Sequence, residues 1–265
     1  MNWVDAARAR VAGRTVLVTG ASSGIGRATA LDLAPSGATF VLLARRTREL
    51  ERVAAQITGL GGVAHCVTAD LGQHRCARDA GDHIVASWGV PDAVVAAAGV
   101  SVRRGVLPSM RRFEVYERSM SVNFLGTLAL IAPLLIGMAE RGSGTVVGVT
   151  SAAARIPLPT WSPYAASKAA FDAWLGGVRP ELGRHGVRVC RVALPLVDTP
   201  MIAQSFGRGS RLAMPVERAA SWVCRAVATG RSVGPWWLPL AQAVAGAAPD
   251  MAGRIMHRSV LNARP

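Results

Sequence analysis

The sequence predicts a doubly wound α/β fold, in which helices cover both faces of one parallel sheet. Short apolar runs alternate with longer helix-like segments along the 265 residues, an alternation typical of parallel sheets. The apolar runs are nearly continuous, as expected of strands that are buried on both faces. A glycine-rich turn joins the first strand to a helix, which completes the pattern. No repeat or low-complexity linker interrupts it, so residues 1–265 are predicted to form a single domain.

The predicted strands and helices alternate along the chain. Strands are predicted over residues 15–19, 39–43, 63–68, 93–97, 145–150 and 187–193. Helices are predicted over residues 24–34, 47–58, 73–88, 112–140, 163–184 and 215–229. Residues 119–139 carry no charge and are long enough to span a membrane. Because they include Asn123 and Pro133 and lie between two strands, a helix buried against the sheet is the favoured interpretation.

The composition excludes several classes of protein. Charged residues are 17% and hydrophobic residues 51% of the chain, which excludes a disordered protein, and four cysteines are too few for a disulfide scaffold. The net charge of +14 comes almost wholly from arginine, because Lys168 is the single lysine. It indicates either an anionic partner or a coding bias toward arginine; no basic–aromatic motif points to nucleic acid. The first residues lack the apolar core of a secretory signal, so a cytoplasmic location is expected.

The glycine-rich turn has the properties of a phosphate-binding loop. It begins where the first strand ends and leads straight into a helix near the N-terminus. Glycines permit a tight turn and a close approach to a pyrophosphate, and a helix N-terminus offers free N–H groups. Hydroxyl groups add further donors. The predicted loop residues are Gly20, Ser22, Ser23, Gly24, Ile25 and Gly26.

Arginines at the end of the second strand predict which dinucleotide binds. In dinucleotide folds this position, about 20 residues after the glycine loop, carries an acidic residue for NAD or an arginine for the extra phosphate of NADP. Arg45 and Arg46 stand there, and no acidic residue is available at this strand end. We therefore predict NADP(H), with Arg45 as the first candidate and Arg46 as the second. The alternative is that both are solvated arginines at a helix start.

A tyrosine and the single lysine form the candidate reactive pair. Tyr164 and Lys168 are four residues apart, so on a helix their side chains share one face. An adjacent ammonium group lowers the pKa of a phenol, and such a pair suits proton exchange between an alcohol and a carbonyl. Ser151 ends the fifth predicted strand, at the sheet edge where ligands bind, and is a candidate to hold a carbonyl oxygen. Thr150 and Ser167 are competing hydroxyls.

Together these motifs resemble the short-chain dehydrogenase/reductase family over nearly the whole chain. The matching residues include the glycine loop, Asp70-Leu71, Ala97-Ala98-Gly99, Asn123, Ser151 and Tyr164-x-x-x-Lys168. The resemblance implies a Rossmann-like fold with Tyr164 as proton donor, Ser151 orienting the carbonyl, and Lys168 binding the nicotinamide ribose and lowering the pKa of Tyr164. It further implies that Asn123 holds a water linked to Lys168 and that Asp70 contacts the adenine. The remaining implied cofactor contacts are Leu71, Ala98, Gly99, Pro195 and Thr199.

The chain departs from the family pattern at three places. Ala96 replaces the usual asparagine after the fourth strand, where we expect a change in packing without loss of activity. Leu196 follows Pro195 where the family often has glycine, and its bulk is expected to reshape the nicotinamide end of the pocket. The usual glycine-rich last strand is not recognisable, and an apolar tail begins at about residue 231.

The C-terminal third resembles reductases that act on long-chain acyl or mycolate-type lipids. The resembling stretches are residues 198–203, 215–220 and 247–251. Apolar candidates for the pocket wall are Met201, Ile202, Phe206, Leu212, Trp236, Trp237 and Leu238. Arginines at 254, 258 and 264 are candidates for contact with anionic headgroups or acyl-carrier phosphates. Packing of the tail on the core or on a subunit interface is the open alternative.

The sequence therefore predicts an NADPH-dependent ketoreductase acting on a small carbonyl substrate, acyl or lipid-like, within lipid metabolism. A homo-oligomer is expected, and a peripheral membrane contact through the tail is a further hypothesis. The alternative is a cofactor-binding regulatory or structural protein that shares the fold but lacks turnover. No metal is predicted, because His65, Cys66, His74 and Cys76 lack metal-binding spacing.

Overall fold

A computed structural model describes residues 2–206 and 213–262, without the side chains of 204–206 and 257–262. The candidate side chains of Phe206, Leu212, Arg258 and Arg264 thus lie outside the described part. Six parallel strands form one sheet in the order β3-β2-β1-β4-β5-β6. The strands are β1 (Thr15–Thr19), β2 (Thr39–Ala44), β3 (Val63–Thr68), β4 (Ala93–Ala96), β5 (Gly144–Ser151) and β6 (Val187–Leu194). The predicted doubly wound parallel sheet is confirmed.

Helices follow the strands and cover both faces of the sheet. They are α1 (Trp3–Val11), α2 (Gly24–Leu33), α3 (Thr47–Gly59), α4 (His74–Trp88), α5 (Val106–Met110), α6 (Glu114–Met120), α7 (Gly126–Arg141), α8 (Ser162–Gly183), α9 (Pro200–Phe206), α10 (Val216–Thr229), α11 (Leu238–Ala247) and α12 (Pro249–Asn262). The helix α1 was not predicted, although Asn2 caps its N-terminus and Asp5 lies in its first turn, both signals of a helix start.

Alternate strand residues supply the two layers of the core. Val16 and Val18 of β1 face the layer that holds residues of α1, α2, α3 and α10. Leu17 faces the opposite layer, which holds residues of α4, α7 and α8. This alternation follows from the two-residue period of a strand, and both faces are apolar because both are covered. The edge strand β3 is the exception, since most of its residues are exposed or half-buried.

The long helix predicted over residues 112–140 is observed over Glu114–Arg141, with a π-helical turn inside it. In this stretch α6 passes directly into a π-helical turn over Ser121–Leu125 and then into α7. Within the described residues, Glu114–Arg141 is the stretch long and apolar enough to cross a membrane by length and composition. Leu130, Ile131, Leu134 and Met138 are buried in the core, as expected of a core helix.

A single bridge extends the sheet beyond β6. Val233 pairs in parallel with Val192, and its amide donates to the carbonyl of Arg191 at 2.9 Å. This bridge takes the place of the last strand that the sequence lacks. It brings the following tail back toward the carboxyl end of the sheet, where Leu238 packs with Ala152 and Ala193.

Candidate active site

The glycine loop packs so closely that two of its glycines admit no side chain. Gly20 has φ of 68°, and a Cβ there would lie 2.9 Å from the backbone of Ala98. A Cβ at Gly26 would lie 2.6 Å from the carbonyl oxygen of Gly20. The loop therefore joins β1, α2 and the end of β4 through direct backbone contact, which is the packing expected of a dinucleotide-binding turn.

A cleft of about 610 Å³ opens above the loop, at the carboxyl end of the sheet. Most of the predicted cofactor residues line it: Gly20, Ser22, Ser23, Gly24, Ile25, Gly26, Arg45, Arg46, Asp70, Leu71, Ala98, Gly99 and Thr199. Pro195 instead lines a neighbouring cavity together with Tyr164 and Lys168. Glycines, hydroxyls, a helix N-terminus and two arginines form a donor set that fits a phosphorylated dinucleotide.

The two arginines at the end of β2 have different contacts. The Arg46 guanidinium donates to the hydroxyls of Ser22 at 3.0 Å and Ser23 at 2.9 Å. Arg45 lies 4.0 Å from the carboxylate of Asp70, which also accepts from the amide of Gly72. The sequence made Arg45 the first candidate for binding the extra phosphate, but in the structure Arg46 is the arginine that contacts the glycine loop. Arg46 is the residue directly before α3.

The second cavity, of about 390 Å³, holds the three predicted reactive side chains. Ser151, Tyr164 and Lys168 all line it. It shares lining residues with the cofactor cleft, so the two form one continuous space; the shared residues are Ile25, Ala97, Gly99, Ser101, Thr199 and Met201. A ligand in the cleft and a second ligand in the cavity would therefore meet beside Tyr164.

Neighbouring contacts distinguish Ser151 from the competing hydroxyls. Ser151 ends β5, its hydroxyl accepts from the amide of Ala153 at 3.2 Å, and it lowers the pKa of the Tyr164 phenol. The Thr150 hydroxyl donates to Asp172 at 3.0 Å. The Ser167 hydroxyl donates to the carbonyl of Tyr164 at 2.8 Å. Of the three hydroxyls, that of Ser151 is the one that influences the pKa of the phenol.

Burial controls the electrostatics of the reactive pair. It raises the pKa of Tyr164 above its usual value, and the hydrogen bond with Ser151 lowers it by less. Burial also lowers the pKa of Lys168 to about 8, and its ammonium group donates to the carbonyl of Val149 at 2.9 Å. The expected lowering of the Tyr164 pKa by Lys168 is therefore corrected: desolvation dominates, and the phenol keeps its proton at neutral pH.

Asn123 lies in the π-helical turn and is buried. Its amide donates to the carbonyl of Val100 at 2.9 Å and to the hydroxyl of Ser167 at 2.8 Å. Its side-chain oxygen accepts from the amide of Val100 at 2.7 Å. These bonds join the π-helical turn to α8 and to the chain after β4, near Lys168. A π-helical turn at such a position is common at functional sites.

The carboxylate of Asp172 is a feature of the site that the sequence analysis missed. It is buried, with 6% of its surface exposed. Arg155 donates to both of its oxygens, at 2.9 and 3.1 Å, and Arg191 donates at 3.2 Å. Asp172 lies one helical turn after Lys168, so the sequence signal was its position on the face of α8 that holds the reactive pair.

Apolar side chains form most of the remaining cavity wall. They come from the chain after Ser151, the chain after β6, the start of α9 and the tail: Ile156, Leu158, Trp161, Leu196, Met201, Ile202 and Trp237. Leu196 thus lines the cavity, as expected. Ala96, the last residue of β4, has no side-chain donor. The backbone amides of Ala97 and Ala98, which follow it, donate to the Thr19 hydroxyl at 3.1 and 3.0 Å.

No cluster of three or more potential metal ligands occurs among the described residues. His65 stacks against Trp88, with ring centroids 4.9 Å apart. Cys66 is exposed, and the pKa of its thiol is raised mainly by partial burial. These residues lie on β3 and α4, on the far side of β2 and β1 from Tyr164.

The fold and the site define a dinucleotide-binding α/β protein of the oxidoreductase type. A family profile described as short chain dehydrogenase matches residues 14–208. The chain belongs to the short-chain dehydrogenase/reductase family of oxidoreductases. A solved short chain dehydrogenase/reductase family protein has 30% sequence identity with it and a TM-score of 0.75, covering 85% of this chain and 96% of that one.

Two similar proteins come from bacteria. An uncharacterized oxidoreductase of Mycobacterium tuberculosis is 38% identical over 210 residues, which are 76% of this chain and 62% of the relative. A fatty acyl-CoA reductase of Acinetobacter baylyi is 37% identical over 196 residues, 74% of this chain and 66% of the relative. The chain thus spans less than two thirds of the length of these relatives.

Proposed function

We propose that this protein is an NADPH-dependent oxidoreductase that reduces a ketone or an aldehyde to an alcohol. The observation that carries the proposal is that Ser151, Tyr164 and Lys168 together line a cavity that continues into the dinucleotide cleft. A carbonyl oxygen in this cavity has a hydrogen-bond donor on each side, and the nicotinamide cofactor supplies the hydride when bound.

Each polar group of the cavity has a proposed part in the reduction. Ser151 holds the carbonyl oxygen, and Tyr164, whose raised pKa keeps it protonated, donates the proton. Lys168 lies within reach of the cleft, since a Cβ on Gly99 would be 3.5 Å from its nitrogen, and it binds the ribose beside the nicotinamide. Asn123 holds the chain around Gly99 and the helix α8 in place through its three hydrogen bonds.

The preference for NADPH rests on the charge at the end of β2. Arg45 and Arg46 line the cleft where the adenosine ribose of a dinucleotide would lie, and Asp70, which also lines it, lies 4.0 Å from Arg45. Guanidinium groups bind phosphate oxygens strongly. Arg46, already hydrogen-bonded to the loop hydroxyls, would hold the extra 2′-phosphate of NADPH.

The substrate is proposed to be hydrophobic and acyl or lipid-like. Apart from the reactive groups, the cavity is walled largely by apolar and aromatic side chains, which bind a hydrocarbon chain better than a polar one. The relatives named fatty acyl-CoA reductase support the same substrate class.

A comparison of the two tyrosines tests the proposal. Tyr164→Phe is expected to lower kcat with NADPH and a long-chain aldehyde by at least about 100-fold, the usual contribution of a general acid. Tyr116→Phe is the matched control, because its hydroxyl bonds Ser162 at 2.8 Å and does not line the cavity. Equal turnover in wild type and Tyr164→Phe would eliminate the assignment. NADPH binding without turnover of ketones, aldehydes and thioesters would favour the alternative, a cofactor-binding protein.

A further inference from the structure

We propose that the surface around the mouth of the reactive cavity docks on an anionic lipid bilayer. The surface consists of residues 103–113, called here the mouth segment, together with the start of the tail at residues 236–247. Docking there would let an apolar ligand pass between the bilayer and the cavity. The docking is measured as binding of the protein to lipid vesicles, so its test does not depend on the proposed reaction.

The mouth segment reverses the usual arrangement of apolar and polar side chains. Its four large apolar side chains are all turned outward: Val106 is 56%, Leu107 73%, Met110 53% and Phe113 59% exposed. The polar Ser109 of the same short helix is fully buried. A helix that faces water normally buries its apolar residues and exposes the polar ones. This outward apolar face therefore indicates a partner that is itself apolar.

The charges of the mouth segment determine what kind of apolar partner fits. Four arginines flank the exposed apolar residues: Arg103, Arg104, Arg111 and Arg112. The segment itself holds no acidic residue, and Glu114 just after it pairs with Arg112 at 2.9 Å. An isologous contact between two copies would bring these arginines together, which disfavours a second copy of this chain as the occupant. An anionic lipid surface satisfies both the apolar side chains and the arginines.

Two contacts place the mouth segment at the cavity. The amide of Arg104 donates to the carbonyl of Thr160 at 2.7 Å. The guanidinium of Arg103 lies 4.9 Å from the ring centroid of Trp161, and Trp161 lines the cavity. The mouth segment is thus attached to the cavity wall, with its apolar side chains on the outside.

The tail adds a second apolar surface at the same cavity. Trp237 lines the cavity, whereas its neighbour Trp236 is 88% exposed. The helix α11 that follows carries no charged residue and exposes Leu240 and Val244. Tryptophan beside an uncharged apolar helix is typical of segments that lie in a membrane interface.

Vesicle binding tests the proposal with matched controls at the opposite end of the sheet. The wild-type protein is sedimented with vesicles of phosphatidylcholine alone or of an equimolar mixture with phosphatidylglycerol. We expect preferential binding to the anionic vesicles, weakened at least about tenfold in the variants Leu107→Ser/Met110→Ser and Arg111→Gln/Arg112→Gln. The controls Leu60→Ser and Arg14→Gln/Arg184→Gln, all exposed residues beyond the amino ends of the strands, are expected to bind like wild type.

Further readouts separate docking from folding, from the reaction and from self-association. All variants are expected to keep wild-type NADPH binding, since none of these residues lines the cofactor cleft. Quenching of tryptophan fluorescence by brominated lipid is expected to decrease in Trp236→Phe, which tests the contact without altering the mouth segment. Equal binding to neutral and anionic vesicles overturns the proposal. An equal loss of vesicle binding in the controls and the variants also overturns it. The same holds if Leu107→Ser/Met110→Ser dissociates an oligomer but keeps its vesicle binding.

Discussion

The carboxylate of Asp172 accepts a hydrogen bond of 3.0 Å from the hydroxyl of Thr150, the residue that precedes Ser151. The same carboxylate binds Arg155, four residues after Ser151, and Arg191 on β6. A single acidic side chain on α8 therefore holds both sides of the reactive serine and the adjacent strand. This arrangement couples the helix that carries Tyr164 and Lys168 to the strand end that carries Ser151.

We predict that Asp172→Asn destabilises the protein strongly. The substitution leaves two largely buried guanidiniums without their carboxylate, and breaking such a buried pair costs about 3 kcal/mol or more in the free energy of unfolding. Urea unfolding followed by circular dichroism measures the loss. Asp82→Asn is the control, because its pair with Arg78 is about half exposed and should contribute less than about 1 kcal/mol. Similar small changes in both variants would contradict the role assigned to Asp172.

Removal of the Arg46 guanidinium is expected to change the choice of cofactor. Arg46→Gln should raise the KM for NADPH about tenfold or more, because a hydrogen bond to a charged group contributes about 1.5–3 kcal/mol. The KM for NADH should change little, since NADH lacks the 2′-phosphate. Steady-state kinetics with both cofactors, for Arg46→Gln, Arg45→Gln and the exposed control Arg52→Gln, provides the comparison. An equal rise of the KM for NADPH and for NADH would show that Arg46 does not bind the 2′-phosphate.

A methyl group at Gly26 should disrupt the glycine loop. A Cβ there would lie 2.6 Å from the backbone oxygen of Gly20, so Gly26→Ala must displace the loop and is expected to lose about 1–3 kcal/mol of stability together with dinucleotide affinity. Gly177→Ala on α8 is the control, because a Cβ there meets nothing within 4 Å, and alanine should stabilise this helix by up to about 1 kcal/mol. Calorimetry and cofactor titration of both variants measure the contrast. Wild-type affinity in Gly26→Ala would refute the packing argument.

Lys168 should make stability depend on pH in the mildly alkaline range. Its pKa is about 8 in the folded protein and about 10.4 in an unfolded chain, so between these values the unfolded chain binds more protons. The contribution of Lys168 to the free energy of unfolding should therefore increase as the pH rises from about 8 toward 10. Unfolding of wild type and Lys168→Met over this range measures the difference. An identical pH dependence in the two proteins would contradict the low pKa.

Much of the fold and part of the site could be predicted from the sequence because their signals are local. The strands are recognisable as continuous apolar runs, and the structure moves their ends by at most one residue. The glycine loop and the spacing of Tyr164 and Lys168 depend on residues that are neighbours along the chain. The helix over 112–140 was predicted without the π-helical turn because no local breaker marks it; this turn accompanies the bonds that Asn123 donates to Val100 and Ser167.

Apolar periodicity and short spacings were enough to predict the sheet, the glycine loop and the candidate pair Tyr164 and Lys168, since these signals act within one element. Contacts between distant elements were needed to show which arginine contacts the loop and that Asp172 is buried. They also give the direction of the pKa shift of Tyr164, because burial raises this pKa by more than the Ser151 hydroxyl lowers it. These properties depend on contacts between elements far apart in the chain, and no local pattern encodes which of several similar side chains will meet.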